Sequence, residues 1–240
     1  LLVAIGDEMV HDRDIVVFRP AAKNQYDAGT FDILLDDLPQ LDGDDAIEVT
    51  AISLVEADTA IGGVTLSAGD FIYATKDSDK DILLYSPTGV GPTTTSGTPQ
   101  LLIDGGDIDI SPPIDGLHLV TANSSLGGFA LTAGQILVSI ESGDDVGEND
   151  LTVRDEDIFI LTVSETALPP DSDTSATASR FFDGSDVGLG GSGARDVDAL
   201  TLPPLKPLAA PPTIDLDANN SSGASGGDYQ TTYVEGTPPV

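Results

Sequence analysis

Ile52-Ser53-Leu54-Val55-Glu56-Ala57 and Leu117-His118-Leu119-Val120-Thr121-Ala122 are two copies of one pattern, offset by 65 residues. The agreement continues at that offset: Gly62-Gly63 matches Gly127-Gly128, and Leu66-Ser67-Ala68-Gly69 matches Leu131-Thr132-Ala133-Gly134. Self-similarity at a fixed offset marks a repeat architecture. Each copy is a short apolar run bounded by turn residues, and the paired glycines read as hairpin turns.

A second element occurs three times, as Asp12-Arg13-Asp14-Ile15, Asp79-Lys80-Asp81-Ile82 and Asp155-Glu156-Asp157-Ile158, each running on into an apolar strand. A third follows each: Leu34-Leu35-Asp36-Asp37, Leu102-Ile103-Asp104-Gly105 and Phe181-Phe182-Asp183-Gly184. A fourth reads Val49-Thr50-Ala51-Ile52, Ile114-Asp115-Gly116-Leu117 and Val197-Asp198-Ala199-Leu200. Each unit therefore has about four short strands, and short connections make neighbours antiparallel. Two units are complete. The first lacks its opening strand, and Val197–Leu202 is expected to supply it by closing a ring of three sheets. The expected fold class is all-β: about three repeats of four short antiparallel strands, as a propeller- or prism-like ring or a sandwich, with an extended C-terminal segment. Glu141–Asp150 reads as an insertion in the third unit, a longer surface hairpin.

Composition agrees. Among 240 residues there are 33 Asp but 8 Glu, with 26 Gly and 16 Pro, so long helices are disfavoured. Mean hydropathy is +0.05, above the range of a wholly disordered chain. The net charge of −32 excludes ordinary nucleic-acid binding, which needs Lys and Arg against phosphates, and opposes an anionic membrane surface. No apolar run approaches the roughly 20 residues of a membrane span. The absence of Cys removes disulfides and thiolate chemistry. Asp-rich, Lys-poor and Cys-free together point to an extracellular or cell-surface protein that folds without disulfides. The opening Leu1-Leu2-Val3-Ala4-Ile5 followed by Asp7-Glu8 reads as mid-strand rather than a signal peptide, as expected for a piece cut from a longer chain.

Composition shifts at Pro203-Pro204-Leu205-Lys206-Pro207, dividing a repeat domain (1–208) from an extended C-terminal segment (209–240). Ordering backbone costs roughly 1–2 kcal/mol per residue. The segment's apolar anchors, Ile214, Leu216, Tyr229, Tyr233 and Val234, return roughly 1.5–3 kcal/mol each when fully buried. Strand pairing must contribute, so these residues are expected at an interface where the segment adds a strand to a sheet edge. The proline-stiffened exit favours an edge on an identical subunit. Such a head-to-tail contact does not close and builds a filament.

Phe181-Phe182-Asp183-Gly184-Ser185-Asp186-Val187-Gly188-Leu189 with Asp196-Val197-Asp198-Ala199-Leu200 resembles a repeat of very large bacterial surface proteins. Ile214–Gly223 through Asp228–Tyr233 resembles the lead-in to cadherin-like tandem modules of such proteins. The resemblance implies a structural role at the cell surface and carries no catalytic residues.

The residue types bear on three chemistries. Asp77, Asp79 and Asp81, and Asp155 and Asp157, offer hard oxygens at alternate positions, the donor type calcium takes; the full calcium-loop signature is absent. The competing reading is strand-end and turn aspartates. Asn123, Asn219 and Asn220 fit the N-glycosylation pattern, so glycans and divalent cations join identical subunits as candidate partners. For catalysis, His11 sits in a turn and His118 alternates with Leu117 and Leu119 as an outward strand residue; no nucleophile-elbow spacing accompanies either. The expected function is a non-enzymatic structural subunit of an extracellular filament, assembled head to tail through the C-terminal segment. The alternative is a calcium-dependent adhesive or spacer module of a large surface protein.

Overall fold

The computed structural model describes residues 3–5, 8–23, 25–41, 48–76, 80–93, 95–169, 173–190, 197–202, 213–215 and 230–232. They fall into two compact units, a body (Leu1–Pro203) and a tail (Pro204–Val240). The body is all-β. Its first repeat comprises β1 (Val3–Ile5), β2 (Glu8–Val10), β3 (Ile15–Ala22) and β4 (Gln25–Leu35). The second comprises β5 (Val49–Leu54), β6 (Thr59–Ile61), β7 (Val64–Leu66), β8 (Phe71–Thr75), β9 (Ile82–Gly89) and β10 (Ser96–Ile103). The third comprises β11 (Ile114–Leu119), β12 (Ser124–Leu126), β13 (Phe129–Leu131), β14 (Gln135–Ile140), β15 (Asp144–Val146), β16 (Leu151–Val153), β17 (Ile158–Glu165) and β18 (Ser175–Phe182).

Two four-stranded antiparallel sheets result, ordered β5-β8-β9-β10 and β11-β14-β17-β18, while β3 and β4 form a two-stranded sheet. The expected four-strand unit is thus present twice in full. Register repeats to the residue. Ile15 faces Leu35, Ile82 faces Ile103 and Ile158 faces Phe182, each followed by a bulge. A second bulge recurs after Val49↔Thr75 and Ile114↔Ile140. A bulge conserved between repeats turns the strand in the same place each time.

Alternation along each strand explains how the layers pack. On the second sheet, Phe71, Tyr73, Leu83 and Tyr85 point one way, against Ile15, Leu34, Leu35 and Leu38 of the first repeat. Ile72, Ala74, Ile82 and Leu84 point the other way, into a core shared with Ile136, Val138, Phe159 and Leu161 of the third sheet. Strands buried on both faces read as unbroken apolar runs, here Phe71–Ala74 and Ile82–Tyr85. Residues 136, 138, 159 and 161 occupy the repeat positions of 71, 73, 83 and 85. Each sheet therefore presents the same face backwards and the same face forwards, and the body is a linear stack of layers.

This corrects the closed ring. Val197–Leu202 is not a strand and does not complete the first repeat; Leu200 and Leu202 pack against Leu137 and Ile160 on the far face of the third sheet. It begins a further layer. Val197 N–H donates to the Asp155 carbonyl (3.2 Å), as Val49 N–H donates to the Asp12 carbonyl (3.0 Å). The Glu141–Asp150 stretch holds β15 and the turn leading to β16, so a hairpin does form, but Val146 and Val153 on its two strands are buried in the main core and it is a core-closing element rather than a surface one.

In the tail, β19 (Thr213–Asp215) pairs antiparallel with β20 (Gln230–Thr232). These two alternating stretches take each other as partners.

Candidate functional site

The acidic motif builds a turn before anything else. Four times a three-residue hairpin leads into a turn whose first N–H donates to the side chain three residues on: His11 to Asp14 (2.7 Å), Ser67 to Asp70 (2.9 Å), Thr132 to Gln135 (2.8 Å) and Arg154 to Asp157 (3.1 Å). The fourth residue's N–H returns to the first carbonyl, at 3.2, 3.0, 3.1 and 3.0 Å. Short polar side chains favour such local closure.

In the Asp-x-Asp-Ile copies the second Asp does more. Its other oxygen accepts an N–H from the turn after the fourth strand: Asp37 to Asp14 (2.9 Å), Gly105 to Asp81 (3.0 Å) and Gly184 to Asp157 (3.0 Å). One carboxylate thereby ties two connections together in the first and third repeats, and Asp81 makes the second of these bonds in the second repeat. The following 3-10 turns, Gly105–Ile108 and Gly184–Val187, are capped by Asp104 and Asp183, whose side chains accept from Gly106 and Ser185. Gly105 and Gly184 are required by close approach: a Cβ would lie 2.2 Å from the Lys80 and Glu156 carbonyl oxygens.

Electrostatics follow from these contacts. Burial pushes the Asp81 carboxyl up, against the Gly105 N–H that pulls it down. Hydrogen bonds from Ser185 and Arg180 hold Asp183 down. Arg180 lies 2.5 Å from Asp183 and 3.6 Å from the buried Asp157. The carboxyl of Glu156 is raised by its hydrogen bond with Asp155 and by burial.

Of the residues expected to hold calcium, Asp77 and Asp79 lie outside the described residues. Asp81 and Asp157 serve as N–H acceptors in separate repeats, and Asp155 contributes its carbonyl to Val197. Asp14, Asp36 and Asp37 bring carboxylate oxygens within 4.8 Å of one another. Both oxygens of Asp14 already accept N–H groups, and Asp37 holds the Arg13 guanidinium. Calcium takes six to eight oxygens, so these three carboxylates alone would not complete its shell.

Asn123 is exposed, but its Oδ1 accepts from Ala133 N–H (2.9 Å), the bond Asp58 makes to Ala68 (2.9 Å) in the preceding repeat. Asn219 and Asn220 lie outside the described residues, as do Leu216, Tyr229, Tyr233 and Val234; Ile214 pairs with Thr231. His118 is half-buried on β11 rather than outward, and burial lowers its pKa.

The seam between β5 and β11 is fastened by hydroxyls. Thr50 Oγ donates to the Ile114 carbonyl (2.7 Å), and Ser53 Oγ accepts from Leu119 N–H (3.0 Å). One repeat on, Ser139 Oγ sits between Asp115 (2.6 Å) and the Val197 carbonyl (2.8 Å). A cleft of about 210 Å³ opens beside this seam between Asp14, Thr50, Asp115 and Leu200. It belongs to the junction between layers.

No protein-family model, curated protein or solved structure matches the chain.

The two ends of the stack carry what the sequence reading did not find. Ile61 in the second repeat is 3% exposed, whereas its counterpart Leu126 in the third is 39% exposed and neighbouring Phe129 is 44% exposed. At the other end, Tyr85 on β9 is 1% exposed, while its counterpart Phe18 is half-buried and Phe31, paired to Phe18, is 52% exposed. Comparing equivalent positions within the repeat exposes the difference; charge and motif counting could not.

Proposed function

We propose that the chain is a non-enzymatic structural subunit of an extracellular, cell-surface assembly in which identical copies join head to tail into a filament. The observation that carries this reading is the linear stack, in which successive layers meet through one recurring face-to-face contact. A body built from one recurring contact is suited to extension, and unlike ends give a heterologous contact that does not close. Acidic, disulfide-free composition and the resemblance to bacterial surface-protein repeats support an extracellular setting. In this reading the C-terminal segment strengthens the assembly by strand exchange, its short β19–β20 hairpin opening to pair with another copy.

Electron microscopy of the purified chain and of a truncation lacking residues 209–240 tests it. Filaments from the chain, and shorter or no filaments from the truncation, are expected. Single particles under all conditions for the intact chain would reject the filament reading.

A further inference from the structure

We propose that the contact joining successive copies is a copy of the internal layer junction, formed when the exposed face of the β3–β4 sheet of one molecule seats on the β12–β13 end of another. This rests on the head-to-tail reading above and names its interface.

The template is inside the body. At the junction between the second and third layers, Ile61, Leu66, Ile72 and Leu84 of the second repeat are buried against the third sheet. Their counterparts are Leu126, Leu131, Leu137 and Ile160. Leu131, Leu137 and Ile160 are already buried in a small cluster closed by Phe181, Leu200 and Leu202. Leu126 and Phe129 remain exposed, with Phe129 packed edge-on to Phe181 at 5.5 Å between ring centres. Leu126 and Phe129 are the part of this forward face that stays open.

The backward half stands at the opposite end. Leu83, Tyr85 and Leu101 of the second repeat pack on the layer before them. Their counterparts by register are Val16, Phe18 and Ile33, with Phe31 paired to Phe18. The rings of Phe18 and Phe31 lie 4.8 Å apart and form an apolar face beside no described layer. Gly29 and Gly97 make room for Phe18 and Tyr85 in the same way, since a Cβ at either would lie 2.6 Å from the ring. On β3 and β4 the first repeat thus retains the β9–β10 part of the layout with which the second layer seats on the first; Ile33 is already buried there, while Phe31 is exposed. A second copy of this chain is the occupant that suits both ends, because Val16, Phe18 and Ile33 repeat Leu83, Tyr85 and Leu101 of the internal backward face, and Leu126 repeats Ile61 of the forward face. The Val197–Leu202 segment would then sit in the new junction as β11 sits against β5.

Like charge opposes the contact: each copy carries −32, so association is expected to strengthen with salt. Sedimentation velocity over a two-decade concentration series, in moderate and high NaCl, measures it. The expected result is a mass rising from 24.6 kDa without a plateau at the dimer. Phe31→Ser removes one half and Phe129→Ser the other; Leu126→Ser replaces the latter if loss of the Phe181 contact lowers the melting temperature. Each variant alone should stay monomeric. An equimolar mixture should give one species of twice the monomer mass and nothing larger, since only one productive junction remains. Variants that associate like the parent chain, or a mixture that stays monomeric, would overturn the stacking interface. Should assembly survive both substitutions and vanish on removing residues 209–240, the filament reading stands and this interface falls. An intact chain that is monomeric throughout rejects both.

Discussion

In the third repeat a single carboxylate joins two connections. Asp157 is buried, accepts from Arg154 N–H and Gly184 N–H, and lies 3.6 Å from an Arg180 guanidinium nitrogen. Removing it orphans two donors, so Asp157→Ala is expected to cost about 2–4 kcal/mol, read as a fall in urea midpoint at constant slope. Asp157→Asn keeps one acceptor oxygen and should lose less. Equal losses would mean that the ion pair with Arg180, not the N–H groups, is what matters. His118 makes a pH-dependent contribution of known sign. Burial lowers its pKa from 6.5, so the folded chain binds the proton less readily than the unfolded chain. Its neutral form favours folding above that value, and this contribution is lost as pH falls through 6.5 towards the folded pKa. Thermal melts between pH 7 and 5 should fall less steeply for His118→Gln than for the parent chain. Identical slopes would remove His118 from the account.

At the scale of elements, the turn after each fourth strand is limited by space rather than by conformation. Gly105→Ala would drive a Cβ to 2.2 Å from the Lys80 carbonyl, backbone that cannot swing away; overpacking of this kind costs about 1–3 kcal/mol. Gly106→Ala meets first the Lys80 ammonium at 2.7 Å, the end of a flexible side chain, and should be nearly neutral. A chemical-denaturation series on the two variants separates them, and equal effects would refute the steric reading. Much of this level was legible. The matching Ser67-Ala68-Gly69 and Thr132-Ala133-Gly134 segments gave hairpin, turn and strand in order, because local turn chemistry is written in local residues. The relation between β1–β2 and β15–β16 was not recognised. Val10-His11-Asp12-Arg13-Asp14-Ile15 and Val153-Arg154-Asp155-Glu156-Asp157-Ile158 carry it, but the turn before them has two residues in one copy and four in the other. An inserted pair breaks an offset without breaking a hairpin. Calcium ligands were suggested by the same aspartates because alternate oxygens look alike whether they face a cation or an N–H.

For the whole molecule, layer order is the property a repeat count leaves open. Alternation tells which residues share a face but not which neighbour that face meets, so a ring and a sandwich are equally consistent with the spacing, and the face-to-face layers bear out the second. Chain direction settles it here: odd positions of β8 look back to the first repeat, even positions look forward to the third. In a chain with 41 acidic and 9 basic residues, drawing the layers of the stack together costs a self-repulsion. Screening should therefore stabilise it. The melting temperature is expected to rise from low to moderate NaCl and to rise equally in CaCl2 at matched ionic strength, since the motif carboxylates are occupied by backbone N–H groups. A rise in calcium alone, well below the ionic strength at which NaCl acts, would instead assign a cation to Asp14, Asp36 and Asp37, where three carboxylates meet. Asp36→Asn would then decide between the two: it lowers charge by one in either case, but it should abolish a calcium-specific shift and leave a screening effect almost unchanged.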